Sequence, residues 1–216
     1  MPQADVSRCR LCLVTPPAAD PDAFAPKLAR ALGGGDVASV VIATGAGDPA
    51  ALQRAAEKFV PIVQARGAAA LILNDTRIAG RAGADGVHVD GGPADLADAI
   101  AALRPRKIVG AGDIRSRHDA MVAGEADPDY VFFGRLDGDT GPEIFDKALD
   151  LAAWWSSMFI IPAIVMGGRD VASVRAAADA GIEFVALCRA AFDSDDPAAA
   201  VAEANRLLSA TLEPAS

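Results

Sequence analysis

At 216 residues the chain can enclose one sizeable core. With 52% hydrophobic but only 5% aromatic residues, that core is built from Ala, Val, Leu and Ile. A net charge of −9 disfavours a nucleic-acid backbone as partner, because binding one relies on basic patches. No apolar run approaches the roughly 20 residues of a membrane span, and residues 1–10 lack the apolar core of a secretory signal. The expectation is a cytoplasmic protein with no membrane partner.

The chain alternates between two patterns. Short apolar runs predict strands at 10–15, 37–43, 69–73, 86–89, 107–110 and 130–133, and at the starts of 162–170 and 184–189. Helical patterns follow at 22–32, 49–65, 94–103, 116–125, 144–157, 171–180 and 195–208, with a short helix or turn at 77–82. Asp20 or Asp22 supplies the first N-cap, Gly33-Gly34-Gly35 stops that helix, and Pro49 suits a first turn. Cys9 and Cys12, three apart in a predicted strand, face opposite sides and read as buried structural residues rather than a metal grip. With Cys188 they make an odd count, against a disulfide framework.

Eight strand–helix units without a linker predict one domain over 1–216 with a parallel sheet, a single (β/α)8 TIM barrel. A doubly wound open sheet is the alternative. Its dinucleotide fingerprint is missing, since Gly33-Gly34-Gly35 precedes the second strand instead of following the first.

In such a barrel chemistry belongs to residues just after each strand. Those positions hold Thr15, Thr44, Asn74, Asp75, Arg77, His88, Asp90, Asp113, Arg115, Arg135 and Asp137. Gly167, Gly168 and Arg169 follow the seventh strand and Arg189 the eighth. Gly-Gly before a helix allows close backbone approach to an anion, and arginine forks match phosphate oxygens. A small phosphorylated ligand is the functional reading; mutual pairing of the arginines with Asp75, Asp90, Asp113 and Asp137 is the competing one. His88 has the side chain for proton transfer, although a lone strand histidine is more often a hydrogen-bonded core residue. Asp75 and Asp90 could share Mg²⁺ with substrate phosphates. His118 reads as solvated surface. Trp154-Trp155 read as packing or as a subunit contact, in which case the chain forms a homodimer.

These stretches resemble the thiamine-phosphate synthase and thiazole tautomerase superfamily of compact (β/α)8 barrels. The matching segments are Leu13-Val14-Thr15, 70–75 (ALILND), 83–88 (GADGVH), 129–134 (DYVFFG) and 162–168 (PAIVMGG). The resemblance implies thiamine biosynthesis: a transferase couples a pyrimidine diphosphate to a thiazole phosphate, expelling pyrophosphate as a pyrimidine carbocation forms. It implies that Gly167, Gly168 and the end of the eighth strand hold the thiazole phosphate, with Asn74 and Asp75 beside the diphosphate and its Mg²⁺.

The candidate site therefore comprises His88, Asp90, Arg115 and Arg135 as catalytic groups. Gly167, Gly168, Arg169 and Arg189 form the phosphate grip, Thr15, Asn74 and Arg77 contact substrate, and Asp75 with Asp90 hold the metal. This chain departs from the family pattern at several points. Val40-Val41-Ile42-Ala43-Thr44 stands where Gln-x-Arg-x-Lys is expected, and Asp90-Gly91-Gly92-Pro93 replaces Gly-Gln-x-Asp. The stretch 137–142 (DGDTGP) replaces Thr-x-Thr-Lys, and Arg189 stands in place of a serine. By the same resemblance Arg115 occupies the position of the tautomerase histidine, where a guanidinium, a donor with no acceptor, is a poor general base. Two further readings stay open: a non-catalytic phosphometabolite-binding barrel, and an enzyme of altered chemistry using His88 or Asp90 on another phosphorylated heterocycle or sugar.

Overall fold

Eight short runs of buried residues pair side by side in a computed structural model, which describes residues 8–210. Residues 1–7 of the leader expectation lie outside that range. The strands are β1 (Arg10–Val14), β2 (Ser39–Ile42), β3 (Ala69–Leu73), β4 (Gly86–Val89), β5 (Ile108–Ile114), β6 (Tyr130–Phe133), β7 (Ala163–Met166) and β8 (Phe184–Leu187). All neighbours are parallel, and β8 returns to β1, so the sheet closes in chain order. This is the single (β/α)8 barrel.

The two-residue period of each strand sorts its side chains between two apolar cores. Leu11, Leu13, Val40 and Ile42 point outward into the layer shared with the helices. Cys12, Val14, Val41, Phe132, Ile164 and Met166 fill the barrel interior. Cys9 precedes β1 and packs in the outer layer, whereas Cys12 lies inside, so the two thiols face opposite sides. Burial pushes both up, Cys9 to about 12 and Cys12 to about 11, and each remains a thiol.

The helices are α1 (Pro21–Ala31), α2 (Pro49–Gln64), α3 (Thr76–Arg81), α4 (Pro93–Leu103), α5 (Arg117–Glu125), α6 (Asp146–Met158), α7 (Val174–Asp179), α8 (Arg189–Phe192) and α9 (Pro197–Ala210). An Asp-Pro pair starts three of them. Asp20 accepts from the amides of Asp22 and Ala23, Asp48 from those of Ala50 and Ala51, and Asp196 from those of Ala198 and Ala199. Proline then takes the first helical position, where no amide is needed. Among the described residues no helix is long and apolar enough to cross a membrane.

The structure corrects the expected elements in three places. β5 runs on to Ile114 through a bulge between Ala111 and Ile114, with Asp113 at φ +56°. Gly112-Asp113 reads as loop in sequence because Gly and Asp tolerate that left-handed region. The helix expected over 171–180 opens as one 3₁₀ turn, Val171–Ser173. Finally, the four-residue α8 follows β8 directly and has no counterpart in the sequence reading. Trp155 is buried and donates to Ile161 O at 2.7 Å, Trp154 lies under the Arg117 guanidinium, and His118 is exposed.

Candidate functional site

The carboxyl ends of the strands open into a cavity of about 1100 Å³. Its floor is apolar and includes Ala43, Leu73 and Met166, with His88 as the buried polar group. Of the expected site residues, His88, Asp90, Arg115, Arg135 and Arg189 line it. Thr15, Asn74, Asp75, Arg77, Gly167, Gly168 and Arg169 are outside the lining.

Thr15 is fully buried, and its Oγ1 accepts from the amides of Ala43 (3.0 Å) and Thr44 (3.1 Å). The two threonine hydroxyls are 2.9 Å apart, and that of Thr44 donates to Pro16 O at 2.7 Å. This network ties the end of β1 to the end of β2.

Asn74 sits at φ +58° and grips Asp90 reciprocally: Nδ2 donates to Oδ1 at 2.5 Å, and Oδ1 accepts from the Asp90 amide at 2.9 Å. Asp75 caps α3 by accepting from the Ile78 amide at 2.7 Å. Arg77 is exposed on that helix. Asp75 and Asp90 therefore each have one carboxylate oxygen engaged. Among the described residues no three His, Cys, Asp or Glu side chains form a metal-binding group. Mg²⁺ is commonly held by one or two carboxylates and completed by substrate oxygens rather than by an all-protein cage, and of these two aspartates Asp90 alone lines the cavity.

The arginines settle into neighbouring carboxylates. Arg115 Nε pairs with Asp113 at 2.9 Å, and Arg135 makes two 3.0 Å bonds to Asp137. Both guanidiniums are nearly four-fifths exposed, where such pairs contribute little and yield readily to a stronger anion. Among the described residues Asp75 and Asp90 take no arginine, so the competing pairing reading holds there for Asp113 and Asp137. Arg169 pairs outside the mouth with Asp193 at 3.1 Å.

The Gly-Gly turn is covered. Gly167 and Gly168 are buried, and their amides donate to Ala186 O (2.8 Å) and Ser173 Oγ (2.9 Å). The loop between β6 and α6 lies against them, with Arg169 N donating to Gly141 O at 2.7 Å. Any Cβ on Gly168 would run into Pro142 O, which is why glycine stands there.

Two groups in this region escaped the sequence reading. Asp139 is buried, its Oδ2 accepts from the Arg189 amide, and its Oδ1 has no hydrogen-bond partner among the described residues and lies 3.9 Å from the Arg189 guanidinium. Burial raises its carboxyl above the ordinary range, against the opposing pull of the Arg189 amide and charge. A carboxylate thus occupies the backbone amide at the end of β8. Lys147, on the first turn of α6, lines the cavity and has no carboxylate within ion-pair distance among the described residues. No sequence signal links Asp139 to a residue 50 positions away, and Lys147 looks like any solvated helix lysine.

His88 is held from behind: Nδ1 lies 2.9 Å from the Tyr130 hydroxyl, and the rings stack at 5.8 Å and 11°. Burial pushes the imidazole down to about 4, with Asp90 opposing, so it is neutral at pH 7.

A family model described as thiamine monophosphate synthase matches residues 11–191. A thiamine-phosphate synthase of Rhodospirillum centenum is 40% identical over 203 residues, covering 93% of this chain and 98% of that protein. One of Hyphomonas neptunium is 36% identical over 207 residues, covering 93% and 94%. Among solved structures, thiamine phosphate pyrophosphorylase from Pyrococcus furiosus superposes with a TM-score of 0.76 at 20% identity, covering 96% of this chain and 98% of that one.

Proposed function

Because the chain belongs to the thiamine monophosphate synthase family, we propose that it joins a pyrimidine diphosphate to a thiazole phosphate and releases pyrophosphate. The observation that carries this reading is the mouth cavity, where an acidic protein gathers Arg115, Arg135, Lys147 and Arg189. A space of about 1100 Å³ is ample for two small phosphorylated heterocycles.

In the reaction the bond from the pyrimidine methylene to the diphosphate breaks, and pyrophosphate leaves with the electron pair. The thiazole nitrogen supplies the pair for the new C–N bond. Arg115, Arg135 and Lys147 stabilise charge on the departing oxygens, the usual role of fixed cations at a leaving group. Leu73, Met166 and Leu151 face the cavity as apolar wall and keep water from the cation. Asp90, steadied by Asn74, would hold Mg²⁺, with Asp75 as the second carboxylate. When bound, the ion neutralises diphosphate charge.

The thiazole phosphate is assigned to the ends of β7 and β8, beside Gly168 and Arg189. Its arrival there displaces the Asp139 carboxylate from the Arg189 amide. A cytoplasmic location and a homodimer belong to the same reading, with Met158 and Ile160 as exposed apolar residues available to a second copy.

Calorimetric titration tests the assignment. Thiazole phosphate binds without metal, and pyrimidine diphosphate binds only with Mg²⁺. Binding of neither ligand would contradict the reading, and binding of thiazole phosphate alone would favour a barrel that keeps only the phosphate half of the site.

A further inference from the structure

His88, Gly110 and Tyr130 form one row across three strands: His88 pairs with Gly110 in β4–β5, and Gly110 with Tyr130 in β5–β6. A side chain at the middle position would separate the outer two. Gly110 leaves that slot empty, and a Cβ there would fall inside the Tyr130 ring. The phenol thereby reaches over β5 to Nδ1 of His88. Gly112, two residues on, makes the second gap, since its Cβ would stand 2.5 Å from His88 Nε2. Two glycines on the inner face of one strand have cleared room for one imidazole and one phenol.

Both side chains are buried, and the Tyr130 hydroxyl has no other hydrogen-bond partner among the described residues. The single hydrogen bond between this imidazole and this phenol can run in either direction. If Nδ1–H donates to the phenol oxygen, the phenolic proton is left without an acceptor in the barrel interior, an expensive orphan. If the phenol donates to Nδ1, that proton is satisfied and the ring proton goes to Nε2, on the cavity side beside Gly112. The second arrangement satisfies the phenolic proton and turns the one remaining N–H, which has no protein partner among the described residues, toward the cavity where solvent or substrate can accept it.

We infer that Tyr130 is a positioning residue that locks His88 in the Nε2–H tautomer, so that His88 offers the substrate cavity a fixed hydrogen-bond donor and not a base. The substrate contact rests on the synthase reading; the tautomer does not. In that form Nδ1 is closed off by the phenol, and Nε2 has no lone pair to accept a substrate proton. The donor meets an acceptor atom on the bound heterocycle or its phosphate.

The chain has only two histidines, which makes the test direct. Long-range ¹H–¹⁵N correlation spectra of the ¹⁵N-labelled protein at pH 7 separate His88 from the exposed His118, with assignment by His88→Gln. The expected result is one histidine with Nε2 protonated and Nδ1 bare, in more than tenfold excess over the other tautomer. Protonated Nδ1, or a rapidly exchanging mixture at His88, would overturn the inference. In Tyr130→Phe the lock is gone and the mixture appears; if that variant does not fold, the wild-type spectrum decides alone.

Kinetics read the substrate contact. Tyr130→Phe raises the KM of one substrate about fivefold or more while kcat falls less than twofold. His88→Gln, which can still offer an N–H, retains more of the wild-type KM than His88→Leu. Equal KM values for Gln and Leu would remove the donor role. An Nε2–H spectrum in a protein that makes no thiamine phosphate would refute the synthase reading and leave the tautomer standing.

Discussion

Replacing Thr15 by valine removes one buried oxygen and almost nothing else, because the side chains share a shape. That oxygen accepts from two amides, those of Ala43 and Thr44, and lies 2.9 Å from the Thr44 hydroxyl. Leaving a buried N–H without its acceptor costs about 1–3 kcal/mol. Two such groups, partly relieved by relaxation at the strand ends, total about 3 kcal/mol, or roughly 6–12 °C in Tm for a chain of this length. The assay is urea unfolding at pH 7.5, with Thr15→Ser as the control that restores the acceptor and most of the stability. A Thr15→Val protein within about 0.5 kcal/mol of wild type would refute the assignment of Thr15 to the β1–β2 tie. A raised KM at unchanged stability would instead support the direct substrate contact expected from sequence.

Further predictions follow from His88, Asp139 and Lys147. Burial holds His88 near 4 instead of 6.5, so between those values the unfolded chain binds a proton that the folded one does not. Stability therefore rises with pH across that window and is lost as pH falls through it. Wild type loses about 2–3 kcal/mol more than His88→Gln between pH 7 and 4.5, and equal losses in urea unfolding would contradict the burial argument. Asp139→Asn removes the negative charge facing Arg189. It tightens thiazole phosphate about fivefold, on the order of 1 kcal/mol, whereas unchanged affinity by calorimetry would place the phosphate elsewhere. Lys147→Ala leaves Tm within about 1 °C, as expected for an exposed side chain. It raises the KM for pyrimidine diphosphate about tenfold, and an unaltered KM would exclude Lys147 from the leaving-group site.

Much of the barrel was legible because a parallel strand buried on both faces writes itself as a short apolar run. Val40, Ala70 and Phe132 needed no context to be placed. The elements that escaped are those whose signals are weak or non-local. Gly112-Asp113 carries loop residues but continues β5 through a bulge, and α8 is too short to show a helical period. The rim arginines Arg115, Arg135 and Arg189 could be placed at the mouth by their position after a strand alone. Asp139 could not, since its partner lies in a different part of the chain and is found only once β6 and β8 meet at the same end. The same limit hid the His88–Tyr130 pair, although Gly110 and Gly112 on alternate positions of one strand were its visible trace.

The rim is proposed to perform family chemistry without the lysines of the family pattern. Its most direct test mixes purified protein, pyrimidine diphosphate, thiazole phosphate and Mg²⁺, and follows thiamine phosphate and pyrophosphate together. The expected result is equimolar appearance of the two products, dependent on both substrates and reduced at least tenfold in an Arg135→Ala, Lys147→Ala double variant. Absence of thiamine phosphate while both ligands bind would contradict it.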